Sequence, residues 1–120
     1  MNMESLPPIV TKAYDLACWL LPRVNDFPRS YRFVLGDRLI QVTLDLVEGL
    51  VEASHRRDKR HSLERASEQL NRLRFLVRLS KDLKLLTVNR YEYAARAMHE
   101  IGAMLGGWLK QQGGAGGAPT

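Results

Sequence analysis

Residues 63–77 read LERASEQLNRLRFLV. Leu63, Ala66, Leu70, Leu73 and Val77 recur at intervals of three and four, the repeat of one face of an α-helix. Phe75 and Leu76, followed by Leu79 and Leu83, widen the apolar arc toward the C-terminal end. The pattern predicts a helix over about 59–83 that buries one seam and has apolar surface to spare.

Three further segments repeat this logic. Val10, Ala13, Ala17, Leu20 and Val24 form a seam after Pro7 and Pro8, and proline is tolerated in a first turn because its missing N–H would be unpaired there. Pro22 is expected to kink or close that helix, and Asn25-Asp26-Phe27-Pro28 reads as a turn. Over 30–54, Leu35, Leu39, Val42, Leu46 and Ala53 follow one seam with Gly49 at a seam position, and Ile40, Leu44, Val47 and Val51 form a second row. In the last segment Tyr91, Ala94, Met98, Ile101, Leu105 and Trp108 alternate cleanly. Asp58 and Thr87 are the expected caps of the third and fourth helices. Gly102 and Gly106, four apart, mark an expected close helix–helix approach. No segment alternates with period two between hairpin turns. The expected fold is all-α: an up-down-up-down antiparallel four-helix bundle. It comprises a lead-in at 1–8, the bundle at 9–112 and a flexible Gly/Ala-rich tail at 113–120. The surplus apolar surface on the second and third helices points to a homo-oligomer.

At 120 residues the chain has room for one domain, and 45% apolar residues suit a globular one. No apolar run is long enough for a transmembrane helix, and the N-terminus does not resemble a secretory signal. With a single cysteine, Cys18, no internal disulfide can form. These features lead us to expect a cytoplasmic protein with no membrane partner.

HExxH, CxxC, GxSxG and P-loop patterns are all missing. Glu52 and His55 form one E-x-x-H, but a di-metal bundle site needs a second such pair and two more glutamates. Cys18 reads as a small buried hydrophobe. We therefore expect no catalytic residue, no metal and no cofactor. Charge is the stronger signal. The net charge is +5, and residues 54–84 carry ten basic and four acidic side chains. At 100° per residue, Arg60, Arg74, Arg78 and Lys81 fall within about 60° of one another on the third helix. Arg56, Arg57 and Lys59 add charge at the preceding turn. Glu64 and Glu68 point away from that line, so no acid is expected to offset it. Such a stripe suits sequence-independent contact with an RNA or DNA backbone, or with a protein partner. Phe75 is the sole aromatic in 54–84, which argues against base stacking there.

Several runs resemble one family. They are Phe27-Pro-Arg-Ser-Tyr-Arg-Phe-Val-Leu-Gly-Asp-Arg-Leu39, Arg57-Asp58-Lys59, Leu73-Arg-Phe-Leu-Val-Arg-Leu-Ser-Lys-Asp-Leu83, Arg90-Tyr-Glu-Tyr-Ala-Ala95 and Ile101-Gly-Ala-Met-Leu-Gly-Gly-Trp-Leu-Lys110. In order and spacing they resemble the accessory variability determinant (Avd) proteins of diversity-generating retroelements, over about residues 8–110. The resemblance implies a four-helix bundle assembling as a barrel-like homopentamer with a basic surface. It also implies association with the retroelement reverse transcriptase and with nucleic acid during mutagenic retrohoming. Lys84 stands where the family pattern leads us to expect glycine before the Leu85-Leu86 pair. A second family, encoded by inserts in bacterial large-subunit ribosomal RNA genes, shares the opening of the second helix. It would imply a structural oligomer with no nucleic-acid role.

Overall fold

The computed structural model describes residues 3–115, and every regular element in them is helical. A 3-10 turn, Met3–Ser5, leads into α1, Pro8–Asn25. A one-turn helix α2, Arg29–Tyr31, passes into a π-helical turn, Arg32–Gly36, and then into α3, Asp37–His55. Helix α4 spans Arg60–Asp82 and α5 spans Val88–Ala115. Each of the four long helices packs on two others, α3 against α1 and α4, and α5 against α4 and α1. One core fills the space between them.

The seams account for most of that core. All five seam residues expected on α1 and all five on α4 are buried. On α5, Ala94, Met98, Ile101 and Leu105 are buried, with Tyr91 and Trp108 half-buried at the ends. On α3 the phase differs from the expectation: Thr43 and Leu50 occupy the core, while Val42 and Gly49 are half-buried. Thr43 meets the cost of burying a hydroxyl by donating to the Leu39 carbonyl at 2.6 Å. Phe27, in the turn after α1, and Leu86, in the turn before α5, are buried as well.

Leu35, Leu39, Leu46 and Ala53 are buried as expected, so the difference is local: Thr43 and Leu50 each follow a buried leucine by four residues and share its face. The π turn lies upstream of that difference and accommodates one extra residue per turn. Gly36 explains why it fits. It is buried against α1, where a Cβ would lie 3.1 Å from Val24 Cγ1. Of the apolar triplet Phe33-Val34-Leu35, the turn buries Leu35 and leaves Phe33 63% and Val34 71% exposed.

Helix α1 continues through Pro22 to Asn25. The hydrogen bond that proline removes would have ended on the Cys18 carbonyl, and both residues are exposed. The exposure of Cys18 corrects the expectation of a buried thiol. Cys18 follows the buried Ala17 by one residue, about 100° around the helix from the seam.

The turn from α4 to α5 ends the helix as glycine would. Lys84 N–H bonds the Lys81 carbonyl at 2.9 Å, and Leu85 N–H bonds the Ser80 carbonyl at 2.8 Å. That pair of bonds is the Schellman pattern, which requires a left-handed residue between them. Lys84 supplies it with φ 64°, the one positive φ among described non-glycine residues. Thr87 then caps α5 as expected, its Oγ1 accepting from Arg90 N–H at 3.1 Å. Lys12 of α1 and Glu100 of α5 join those helices by an ion pair. The hydrogen bond and the opposite charge raise the lysine pKa and lower that of the carboxyl.

Residues 113–115 belong to α5, and the flexible tail expected over 113–120 otherwise falls outside the described residues. Among the described residues no helix is long and apolar enough to cross a membrane.

Candidate nucleic-acid interface

The α3–α4 turn is built by its own cations. Lys59 Nζ donates to the Ala53 carbonyl at 2.8 Å and the Arg56 carbonyl at 2.6 Å. A lysine there adds a donor to carbonyls at the end of α3, where Arg56 N–H also bonds the Ala53 carbonyl at 3.4 Å, and meets the negative end of the helix dipole. The same ammonium lies 5.9 Å from the Trp108 ring, tying the turn to the end of α5. Arg56 pairs with Glu52 at 3.5 Å. Asp58 Oδ1 accepts from Arg60 N–H at 3.3 Å, but the N-cap position of α4 is Lys59, which corrects the expectation that Asp58 caps the helix. Arg57 is exposed and makes no ion pair or hydrogen bond among the described residues.

Along α4 the four stripe residues divide into two kinds. Arg60 and Arg78 point outward and pair one turn ahead, with Glu64 at 3.7 Å and Asp82 at 3.2 Å. These partners correct the expectation that no acid offsets the stripe. Glu64 lies off the line of cations, but a long arginine side chain reaches across the intervening angle. All four side chains are more than half exposed, and such pairs contribute only about 0.3–0.5 kcal/mol. An arriving phosphate can therefore displace the carboxylate at small cost.

Arg74 and Lys81 turn toward α5 instead. Arg74 donates to Asn71 Oδ1 at 2.9 Å and to the Met98 carbonyl at 3.4 Å. Its guanidinium fills the space a side chain at Gly102 would need. Gly102 is thus small for an arginine, not for a helix backbone. At Gly106 a Cβ would meet no atom within 4 Å, which overturns the expected close approach there. Lys81 sits 5.0 Å from the Tyr91 ring and 3.9 Å from Asp82, with its side chain 31% exposed. Both residues act as struts between α4 and α5.

The other flank of α4 holds functional candidates that the cation stripe does not include. There Arg72, Phe75 and Leu76 meet Arg38, Val42 and Asp45 of α3 around an open groove of 570 Å³. Phe75 is 78% exposed. Neither Arg38 nor Arg72 has an ion-pair or hydrogen-bond partner among the described residues. The signal for this flank in the sequence is that Phe75 and Leu76 lie off the strict seam. Periodicity alone assigns them to surplus core surface, because it does not reveal which helix lies alongside.

The Glu52/His55 pair does not gather a site. Glu52 accepts from Ser62 at 3.4 Å and pairs with Arg56, while His55 is exposed at the end of α3. Among the described residues no three His, Cys, Asp or Glu side chains are grouped to hold a metal ion.

An all-helical bundle with one strongly basic helix defines a class of small helical proteins that present charge on a packed scaffold. The bAvd-like family model matches residues 8–112, and the chain belongs to that family. No curated protein matches it.

Proposed function

We propose that this protein is a non-catalytic accessory factor of a diversity-generating retroelement, binding the reverse transcriptase and template RNA or cDNA to support mutagenic retrohoming. The observation that carries the reading is membership of the bAvd-like family over 8–112 together with the concentration of positive charge in 54–84. Arg56, Arg57, Arg60 and Arg78 are the accessible contacts for phosphate or for an acidic partner surface. Lys59, Arg74 and Lys81 hold the surface in shape. The short connections between helices that neighbour one another support an up-down-up-down order.

Assembly into a homo-oligomer, with five subunits as the family resemblance implies, belongs to the same reading. Its physical support is the half-buried row Ile40, Leu44, Val47 and Val51 on α3 and the exposure of Leu79 on α4 and of Leu83 at its C-cap. Light scattering should return a mass several times 13.7 kDa, and a monomer mass would remove this part. Titration with RNA and DNA at several salt concentrations tests the nucleic-acid part. Phosphate-driven binding weakens steeply with salt, and Arg57→Ala with Arg78→Ala should lower the magnitude of the slope by roughly 0.7–0.9 per lost contact.

A structural oligomer of the ribosomal-RNA-insert kind is the second reading, favoured by the internal partners of six of the seven cations named from sequence. Wild-type protein that binds neither nucleic acid nor the reverse transcriptase at low salt would decide for it.

A further inference from the structure

The side chains best placed to touch a nucleobase are not on the basic stripe. They lie on the π turn, Arg32–Gly36, and on the α3–α4 groove that begins at Arg38, two residues further along the chain. The π turn leaves Phe33 63% exposed, five residues before Arg38. Arg38 lines the groove with Arg72 and with Phe75, which is 78% exposed. These are the most exposed aromatic rings of the described residues. Arg29 precedes Phe33 by one turn, and the Arg32 guanidinium lies 5.9 Å from the Phe33 ring.

None of Arg29, Arg32, Arg38 and Arg72 has a carboxylate partner among the described residues, whereas Arg56, Arg60 and Arg78 all do. Asp45, the acid lining the groove, instead accepts from Gln41 at 2.9 Å.

We infer that Arg29, Arg32, Phe33, Arg38, Arg72 and Phe75 form a binding surface for single-stranded nucleic acid, with the rings stacking on bases and the arginines meeting phosphates. This rests on the nucleic-acid reading above and names a different contact surface and substrate form. Two physical points select the occupant. Exposed rings beside cations are the elements by which proteins hold single strands without sequence preference, whereas paired bases keep their faces inside the duplex. A second copy of this chain is the poorer fit. It carries net charge +5, and covering four unpaired arginines with it would desolvate them without supplying matched carboxylates.

The test is fluorescence anisotropy with a short labelled single-stranded RNA, the DNA of the same sequence and the RNA duplex, each over a salt series. The proteins are wild type, Phe33→Ala/Phe75→Ala, Arg38→Ala/Arg72→Ala and Arg57→Ala/Arg78→Ala, with mass followed by light scattering. Losing both rings should weaken single-strand binding at least about tenfold, leaving the salt slope and duplex binding unchanged. Losing Arg38 and Arg72 should reduce the slope magnitude by roughly 0.7 for each. Phe75→Trp keeps a stacking face and should retain wild-type affinity or exceed it. RNA and DNA strands that respond alike show recognition through bases and phosphates, and a response confined to RNA adds contact with the 2′-hydroxyl.

Wild-type affinity in the ring variant, with weakened binding in Arg57→Ala/Arg78→Ala, overturns this surface while leaving the nucleic-acid reading intact. A changed mass in the ring variant identifies the surface as a subunit interface and overturns the inference too. If wild type binds no probe at low salt, the nucleic-acid reading falls and takes this inference with it.

Discussion

On the α5 side of α4, Arg74 reaches across to the Met98 carbonyl and fills the space left by Gly102. On the α3 side, two residues earlier in the chain, Arg72 stands beside Phe75 and Arg38 with no carboxylate partner among the described residues. The two arginines are alike in chemistry and differ in what the neighbouring helix offers. Helix α5 presents a glycine and a carbonyl, which convert a cation into a strut. Helix α3 presents another arginine and an open groove, which leave the charge available. A basic helix therefore has to be read flank by flank, because the sum of its charges does not say which are occupied.

The largest expected effect probes the strut. Gly102→Leu should displace the flexible Arg74 guanidinium and destabilise the fold by about 1 kcal/mol, the worth of the hydrogen bonds that arginine loses. Gly106→Leu should leave the thermal midpoint near wild type. Equal losses at both glycines would break the distinction drawn between them. A double-mutant cycle sharpens it: Gly102→Ala should be more favourable in an Arg74→Ala background than alone, because there the alanine displaces no guanidinium.

Next in size is the turn that orients α4 against α5. Lys84 holds a left-handed conformation that costs a non-glycine residue about 1–2 kcal/mol. Lys84→Gly should raise stability in urea melts by about 1 kcal/mol, part of the gain being offset by glycine's greater unfolded-state entropy. Loss of stability would show that the lysine side chain makes a contact worth more than the strain.

Smaller still is the exposed pair on α4. Arg78→Ala should change stability by no more than about 0.5 kcal/mol, because an exposed ion pair one turn apart contributes little. Arg74→Ala should cost more, about 1 kcal/mol, from lost hydrogen bonds to Asn71 and Met98. Thermal melts of the two single variants compare them directly, and the reverse order would undo the assignment of strut and free cation.

The smallest effect is pH-dependent and lies between α1 and α5. Glu100 has its pKa lowered by the hydrogen bond from Lys12, so its stabilisation is complete above the unfolded carboxyl's pKa and is lost as pH falls through the folded value. Lys12 has its pKa raised, so its share is complete below the unfolded lysine's pKa and is lost as pH rises through the folded value. The difference in Tm between wild type and Glu100→Gln should be constant around neutrality and vanish in acid. A difference that persists at pH well below the carboxylate range would mean that Glu100 acts through packing.

The periodicity of 63–77 and its three counterparts was enough to establish four helices, most of the core and the cap at Thr87, whereas the N-cap of α4 fell to Lys59 and not to Asp58. Those features depend on interactions within a few residues, which spacing records directly. The run of cations in 54–84 likewise announced a basic helix. Which of those cations remain available was decided by the tertiary structure. Arginine side chains are long enough to reach a neighbouring helix or a carboxylate one turn away, so Arg74 and Lys81 became struts and Arg60 and Arg78 found partners. The exposure of Phe33 was also decided by tertiary packing: the π turn sets Leu35 and Gly36 against the bundle, Gly36 beside Val24, and no helix covers Phe33 and Val34. Spacing along one helix determines which residues share a face, but only packing against the next helix determines whether that face is core, strut or open surface.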